Sequence, residues 1–292
     1  MPLPMREGVS ASKHHLPNGD WKTMLAFLQQ RFTDVSTETW LSRMERGEVV
    51  DAEGTPVKPN HQYRAGTTIY YYREIENEAI IPFDEEILYR DEHLLVVDKP
   101  HFLPVIPSGP YLHETLLVRL RRKLQLEHLT PIHRLDRETA GVMMFSITPA
   151  CRADYQRLFE HRKIRKEYEA LAPVSTTLQL PLTHRSRLVT GEPFFRMKEV
   201  AGKPNSETSI EMLAQEDGIA RYRLRPLTGK HHQLRVHLAA LGIPIINDHT
   251  YPELLAFKGD NYTHPLKLLA KSIRFDDPYS HQPHVFESRR IL

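Results

Sequence analysis

The chain has 292 residues, enough for one large domain or for a main domain with a small accessory one. Hydrophobic residues make up 40% of it and charged residues 26%, which is typical of an ordinary protein with a buried core. The net charge of +2 does not by itself indicate nucleic-acid binding. The single cysteine excludes an internal disulfide, and no apolar run approaches the roughly 20 residues of a membrane span. We therefore expect a cytoplasmic protein with no membrane contact.

A change in composition divides the chain. Residues 76–86 are acidic and contain a proline, and we place the domain boundary within them. The predicted units are an N-terminal accessory region, residues 1–82, and a main domain, residues 83–292. In the first unit we predict a helix capped by Asp20, a helix over 38–46 and a strand over 67–73.

Four short motifs follow one another within residues 40–72. They are Leu41-Ser42-Arg43, Gly47-Glu48-Val49, Val57-Lys58-Pro59 and Arg64-Ala65-Gly66. Their order is similar to that of a small RNA-binding module shared by a ribosomal protein and many RNA-modifying enzymes. The resemblance implies an RNA-binding accessory region. A small α/β arm packed on the main domain explains the same helix, turn and hairpin pattern equally well.

The main domain mixes strands and helices without a regular βαβ repeat. Leucines at every fourth position predict a helix over 111–124, and alternation over 221–225 predicts a strand with one polar face. The other predicted elements are strands at 93–99, 166–174 and 266–275 and helices at 150–162 and 231–241. This order favours an α+β fold with a mixed, largely antiparallel sheet.

The densest group of functional side chains is a loop that leads into an apolar run. His133-Arg134-Leu135-Asp136-Arg137-Glu138-Thr139-Ala140-Gly141 places the carboxylate of Asp136 between two arginines and beside a histidine. A short polar loop at the edge of a buried strand is held rigidly, and catalytic groups are often found there. Most aspartates beside arginines are structural ion pairs, so the loop alone does not establish catalysis.

Four blocks of sequence, in the right order, resemble the pseudouridine synthases of the RluA type. The loop matches the pattern H-R-L-D-x-x-T-S-G, except that Ala140 replaces the serine. The other three blocks are 91–100 and 166–171, similar to D-x-x-L-L-V-V-x-K-P and to K-x-Y-x-A-L, and 225–242, where the similarity to the family is densest. In the last of these the family has a threonine where this chain has His231. Two later blocks, 247–251 and 268–270, match the patterns G-D-x-x-Y and L-H-A less well.

The resemblance implies an α+β fold with a central catalytic cleft and an enzyme that isomerises specific uridines in ribosomal or transfer RNA. Asp136 is the implied catalytic carboxylate on a flipped-out nucleotide. It acts as nucleophile or charge stabiliser at the anomeric carbon, or as a base toward the sugar. Arg235 is its implied partner, Tyr168 is implied to stack on the base, and Arg134 to fill the gap left in the RNA. The isomerisation imports no group, so we expect no cofactor.

RNA is the expected partner, and no obligate protein partner is indicated. We expect its backbone to contact two basic surfaces, Arg119, Arg121, Arg122 and Lys123 on one helix and Arg162, Lys163, Arg165 and Lys166 beside another. His184, Arg185 and Arg187 are predicted to lie in a loop that closes over the RNA. For each of these runs a solvated face without RNA contacts is the alternative.

Two other functions fit parts of the sequence. His231, His232 and His237 suggest a metal, but their spacing does not reproduce H-E-x-x-H, so we expect no metal site and no metal-dependent RNA hydrolase. The remaining alternative is a catalytically silent RNA-binding or ribosome-assembly protein. The presence of Asp136 together with the implied partners of the resemblance weighs against it.

Overall fold

The computed structural model describes residues 3–256 and 261–292, and their strands form two sheets. The elements of the N-terminal part are β1 Ser12–His15, α1 Met24–Arg31, α2 Thr37–Glu45, β2 Val49–Val50 and β3 Thr68–Tyr71. The three strands form a small antiparallel sheet in the order β1-β3-β2. Leu16, Phe27, Leu28 and Trp40 have no exposed surface and fill the space between this sheet and the two helices.

The start of α1 is set by a long-range contact. We predicted Asp20 as the cap, which is wrong, because the helix begins at Met24 and the Thr23 hydroxyl accepts a hydrogen bond from the Ala26 amide at 3.2 Å. The Met24 amide donates to the carbonyl of His61 at 2.8 Å. This bond ties the first helical residue to a distant part of the chain, which local sequence does not reveal.

The main sheet contains 11 strands among the described residues. Its elements, with the helices between them, are β4 Glu86–Arg90, β5 Leu94–Lys99, α3 Leu116–Leu124, β6 Thr130–Pro131, β7 Ala140–Ser146, α4 Pro149–Glu160, β8 Arg165–Pro173, β9 Leu182–Thr190, β10 Met197–Val200, β11 Ser206–Glu216, β12 Ile219–Pro226, α5 Gln233–Ala240, β13 Leu268–Asp276 and β14 Pro283–Glu287. The strand order is β10-β9-β11-β12-β8-β13-β7-β5-β4, with β14 beside β13 and β6 beside β7. Of the described pairs only β13 with β7 is parallel. The predicted α+β fold with a mixed, largely antiparallel sheet is confirmed.

Helices cover both faces of the main sheet, which explains the unbroken apolar run in β5. Leu95 and Val97 belong to the hydrophobic cluster that contains α3, whereas Leu94 and Val96 belong to the cluster that contains α4. A strand buried on both faces has no need of alternating polar residues. Helix α5 covers the other half of the sheet, where Leu234 packs with residues of β8 and β12.

Helix α3 is shorter than predicted. The helix expected over 111–124 begins at Leu116. It is capped by Thr115, whose hydroxyl accepts a hydrogen bond from the amide of Val118, the third helical residue. The amides of residues 112–114 donate instead to the carboxylate of Glu78. That carboxylate satisfies three backbone donors outside any helix, so the leucine periodicity overstates the helix by about one turn.

The N-terminal arm, residues 3–11, contacts both parts of the molecule. The Tyr72 hydroxyl donates to the Pro4 carbonyl at 2.5 Å, and the Arg6 guanidinium lies 3.9 Å from the centre of the Tyr72 ring. On the other side, Arg121 of α3 donates to the Gly8 carbonyl at 3.1 Å. The arm thereby fastens the small sheet beside α3.

The basic segment 184–187 is part of a strand. We predicted a loop closing over RNA, which is wrong, because these residues lie within β9 and pair with both β10 and β11. Arg185 forms an ion pair with Glu207 at 2.9 Å. Among the described residues, no helix is long and apolar enough to cross a bilayer.

Candidate active site

The loop that carries Asp136 joins β6 to β7 and is pressed against β13. Gly141 has a φ of 115°, and a Cβ at this position would lie 2.2 Å from the carbonyl oxygen of Ala270. Only glycine permits both this backbone conformation and this approach. The glycine of the loop pattern therefore fixes the distance between the Asp136 loop and β13.

A buried lysine holds the same loop from the side of β5. Lys99 has no exposed surface, and its ammonium donates to the carbonyls of Pro100, Leu103 and Arg137 at 2.9, 2.8 and 3.0 Å. These three hydrogen bonds use all of its donors. Because Arg137 follows Asp136 directly, Lys99 supports the backbone of the catalytic candidate. Lys99 lies in the matching block 91–100, but this supporting role was not predicted from the sequence.

Arg235 brings the Asp136 loop and α5 together. Its Nη1 lies 3.1 Å from Asp136 Oδ2, while its Nε and Nη2 donate to the two carboxylate oxygens of Asp248 at 2.8 and 2.7 Å. Asp248 is fixed in turn by the amides of Thr250 and Tyr251. Two carboxylates therefore share one guanidinium, whose orientation is set by the bidentate pair. Asp248 was not among the predicted site residues, although it lies in the weaker block 247–251.

The charges at this cluster keep Asp136 ionised. Burial alone would raise the pKa of the Asp136 carboxyl, but the guanidinium of Arg235, through its charge and its hydrogen bond, lowers it, and the pKa lies below its ordinary value. Burial opposes the charge of Arg235 as well, yet Asp248 and Asp136 raise the pKa of its guanidinium above the usual value. The side chain of Asp136 is 23% exposed, so the anion can be reached from outside.

Tyr168 reaches the site through the pairing of three neighbouring strands. Ala270 of β13 is paired with Gly141 of β7 on one side and with Tyr168 of β8 on the other. The Tyr168 side chain packs against the hydrophobic cluster beneath α5. Burial raises the pKa of its hydroxyl and the charge of Asp136 raises it further, so the phenol stays neutral.

Two histidines before α5 extend the site. His232 Nε2 lies 3.7 Å from Asp136 Oδ2, and His232 Nδ1 lies 2.8 Å from the Tyr251 hydroxyl. That hydroxyl also accepts a hydrogen bond from the Met197 amide at 2.7 Å. The exposed His231 ring stacks on His232 with 3.8 Å between centroids. Burial lowers the pKa of His232 to about 4, so its ring is neutral beside the carboxylate. The helix predicted over 231–241 starts later, since His232 has a left-handed φ of 53°.

Arg134, by contrast with the other three predicted residues, is exposed on the surface of the loop. Other exposed cations lie on adjoining segments. Lys166 of β8 donates to the Thr228 carbonyl at 3.2 Å, so β8 lies beside the turn that carries the exposed Lys230. Arg165, the neighbour of Lys166 in β8, is exposed as well, so this region carries several cations that an anion can reach.

The predicted basic surface of α3 is partly used by the protein itself. Arg119 donates to the carbonyl of Phe83 at 2.7 Å, and Arg121 donates to the carbonyls of Leu129 and Gly8 at 2.9 and 3.1 Å. Both guanidiniums are therefore engaged within the protein, which speaks against the predicted RNA contact. Arginines that satisfy backbone carbonyls in this way hold segments of the chain together.

Among the described residues, two groups of side chains bring possible metal ligands within 4.8 Å of one another. One is Asp136 with His231 and His232, and the other is His184 with Glu199 and His237. The H-E-x-x-H spacing describes ligands on one helix only. It could not detect a set completed by a carboxylate about 95 residues away in the chain.

A family model for RNA pseudouridylate synthases matches residues 93–240, half of the chain, and this segment contains Asp136, Tyr168 and Arg235. The chain belongs to the RNA pseudouridylate synthase family. Its curated relatives include several RluA enzymes, and within the family it is of the RluA type, as the four sequence blocks predicted.

Two relatives and one solved structure show the extent of the similarity. An uncharacterised RNA pseudouridine synthase of Synechocystis sp. is 31% identical over 234 residues, 78% of this chain and 79% of that protein. The dual-specificity RNA pseudouridine synthase RluA of Escherichia coli is 34% identical over 172 residues, 56% of this chain and 76% of that protein. Human RNA pseudouridylate synthase domain containing 1 matches with a TM-score of 0.58 and 25% identity, over 71% of this chain and 84% of its own. The predicted family and its enzyme class, an isomerase, are confirmed.

Proposed function

We propose that this protein converts specific uridines in structured ribosomal or transfer RNA to pseudouridine, with Asp136 as the catalytic carboxylate. The observation that carries the proposal is the state of Asp136, which is anionic, accessible and held by a buried arginine that Asp248 anchors. A relative from Vibrio cholerae, 30% identical over 70% of this chain and 90% of its own, is named as a tRNA pseudouridine synthase. That name supports transfer RNA as one substrate class to test.

The reaction breaks the bond from ribose C1′ to uracil N1, turns the base and forms a bond from C1′ to C5. A fixed carboxylate suits it, because Asp136 can attack C1′ as a nucleophile or take a proton from the sugar. Both roles need the anion that Arg235 favours. The neutral ring of Tyr168 offers the uracil a flat apolar face. The proton on C5 leaves to solvent and N1 takes up a proton, so the product is an isomer of the substrate.

The target nucleotide must leave its stack to reach Asp136, at a cost of about a few kcal/mol. Arg134 supports this step, since it lies two residues before the carboxylate and is exposed. A planar guanidinium can occupy the vacated space and stack on the neighbouring bases. The exposed Arg162, Lys163 and Arg165 supply contacts to the RNA backbone, which give affinity but no sequence choice.

Residues 1–82 serve in this proposal as an accessory RNA-binding region. Lys58 and Arg64, from two of the four motifs there, are exposed. Arg43, from the first motif, is 3% exposed and pairs with Glu74 at 3.3 Å, so it stabilises the region and does not contact RNA.

The test uses RNA that carries tritium at uracil C5, prepared from cells that lack this protein and separated into ribosomal and transfer fractions. Wild-type protein should release tritium from at least one fraction, and Asp136→Asn should release none. Asp217→Asn is the matched control, because Asp217 is exposed in a turn with a left-handed φ of 49° that asparagine accepts. Undiminished release by Asp136→Asn would refute the role of Asp136. RNA binding by the wild type without release from either fraction would instead favour the catalytically silent protein.

A further inference from the structure

We propose that Asp136, His231 and His232 form a binding site for a divalent ion of the zinc type, and that the bound ion inhibits the enzyme by occupying the catalytic carboxylate. The binding part of this inference rests on the three donors themselves. The inhibitory part rests on the proposed function of Asp136, and the experiment below separates the two.

The donors are close to a coordinating arrangement. One atom from each of the three side chains lies within 4.8 Å of the others, and the pair His232 Nε2 and Asp136 Oδ2 is separated by 3.7 Å. Bonds of about 2.0–2.1 Å in a tetrahedral zinc site place neighbouring ligands about 3.4 Å apart. The two deeper donors are therefore nearly in place, and the exposed His231 has room to close the third side.

The local charge favours a cation. Asp136 and Asp248 both bind the single guanidinium of Arg235, so this ion-paired set carries one negative charge in excess. Asp136 Oδ2, the oxygen 3.7 Å from His232 Nε2, accepts from Arg235 with one lone pair and has a second lone pair that can bind an ion. A metal ion can bind the carboxylate without removing the arginine.

His232 is oriented as metal-binding histidines usually are. Its Nδ1 lies 2.8 Å from the Tyr251 hydroxyl oxygen, which can accept a hydrogen bond from Nδ1–H in addition to the one from the Met197 amide. With the proton on Nδ1, the lone pair on Nε2 faces Asp136. Fixing the far nitrogen of a ligand in this way sets both its tautomer and its ring orientation.

The second group of possible ligands does not offer an open site. His237 has no exposed surface, and both of its nitrogens lie at hydrogen-bond distance from hydroxyls, Nδ1 from Thr208 at 3.0 Å and Nε2 from Ser206 at 2.9 Å. Occupation by a metal would break these contacts in the interior. Asp136 and His231, in contrast, are reached from outside.

The donor set also selects the kind of ion. Two imidazole nitrogens and one carboxylate oxygen suit Zn²⁺, Co²⁺, Ni²⁺ and Cu²⁺, whereas Mg²⁺ prefers oxygen ligands and keeps its water. Millimolar Mg²⁺ used to fold an RNA substrate should therefore not occupy the site. His231 stands where the family pattern has a threonine, so His231→Thr removes one donor with a residue that the fold accepts.

The experiment compares metal-free full-length wild type, His231→Thr and, as a control, the exposed His128→Thr. Binding is measured by the visible absorption of Co²⁺ and its displacement by Zn²⁺, and activity by tritium release from RNA. Wild type and the His128 variant should bind one ion that Mg²⁺ does not displace. The His231 variant should bind at least tenfold more weakly. Zn²⁺ should inhibit wild-type release over the range in which it binds, and inhibition of the His231 variant, measured against that variant's own metal-free rate, should need at least tenfold more Zn²⁺.

Several results would overturn the inference. Equal affinity in wild type and His231→Thr would place the ion elsewhere, and activation by Zn²⁺ or cleavage of the RNA strand would make the ion a cofactor instead of an inhibitor. If the wild type binds the ion through His231 but releases no tritium under any condition, the metal site stands and the claim that the ion inhibits the enzyme falls. That last outcome refutes the proposed function and not the binding.

Discussion

Helix α5 contributes to two polar clusters, one around Arg235 and one around His237, that differ in their exposure to solvent and in their balance of charge. Arg235 and His237 are two residues apart, which places them about 200° apart around the helix. Arg235 contacts an aspartate that is 23% exposed, whereas His237 is fully enclosed among three hydroxyl side chains, those of Ser186, Ser206 and Thr208. The first cluster keeps an accessible anion with an excess of charge, and the second satisfies its groups internally. Accessibility and unbalanced charge, more than the kind of residue, distinguish a candidate site from a structural polar core.

The largest effect is expected at the first cluster, from Arg235→Lys. Lysine keeps the charge but cannot hold Asp248 in a bidentate pair and contact Asp136 at the same time. We expect kcat to fall about 100-fold while RNA affinity changes less than about threefold. Single-turnover tritium release and filter binding measure the two quantities.

Arg225→Lys is the matched control for that variant. Arg225 lies on β12, is half exposed and pairs with Glu167 at 3.0 Å, away from the Asp136 loop. Its kcat should equal that of wild type. A parallel loss of turnover, RNA affinity and melting temperature in Arg235→Lys would show that Arg235 only braces α5, and the contrast between the clusters would disappear.

The second cluster should respond in stability. His237→Asn removes ring volume and at least one hydrogen bond from an enclosed site, and we expect the free energy of unfolding to fall by about 2 kcal/mol at neutral pH. Urea titration measures this loss, and kcat per folded molecule should stay within about twofold of wild type. A large fall in kcat with unchanged stability would assign the second cluster a direct part in the reaction.

The same residue gives a dependence on pH. Burial, together with the nearby His184, lowers the pKa of His237 from 6.5 to about 4 in the folded protein. Between these values the unfolded chain takes up a proton that the folded protein does not. The contribution of His237 to stability is therefore complete above pH 6.5 and falls by about 1.4 kcal/mol per pH unit below it. The penalty of His237→Asn should shrink accordingly in urea titrations between neutral pH and about pH 5; a constant penalty would contradict a neutral buried ring.

The smallest effect is expected from Arg185→Ala on β9. Arg185 is 59% exposed in its ion pair with Glu207, and solvent screens such a pair so strongly that it contributes little to stability. We expect stability and RNA affinity both to stay near wild type. A tenfold loss of RNA affinity would restore the RNA contact that the sequence suggested for this segment and would extend the functional surface to the second cluster.

The sequence predicted best what local pattern or short-range spacing determines. The buried strand around Val96 and the polar-faced strand around Arg223 were both recognisable, because burial on two faces and on one face leave different periodicities. The resemblance to the family implied that Arg235 is the partner of Asp136, and in the structure Arg235 Nη1 lies 3.1 Å from Asp136 Oδ2.

Contacts between distant segments account for what was missed. The carboxylate of Glu78 holds residues 112–114 out of α3, and pairing with β10 and β11 makes 184–187 part of a strand. Lys99 looked like the end of a strand, yet its role depends on three carbonyls that come together only in the fold. Hydrogen bonds of this kind leave no periodic trace in the sequence.

The central position of β13 in the sheet has a consequence for the order in which the chain is synthesised and folds. This strand separates β7, which follows Asp136, from β8, which carries Tyr168, and it is translated about 100 residues after both. Until β13 has been synthesised, the strands on its two sides cannot join into one sheet, so Asp136 and Tyr168 cannot take up their places in the site. Activity can therefore begin only after β13 has paired with both neighbouring strands, when nearly all of the residues proposed to act in the reaction have already been synthesised.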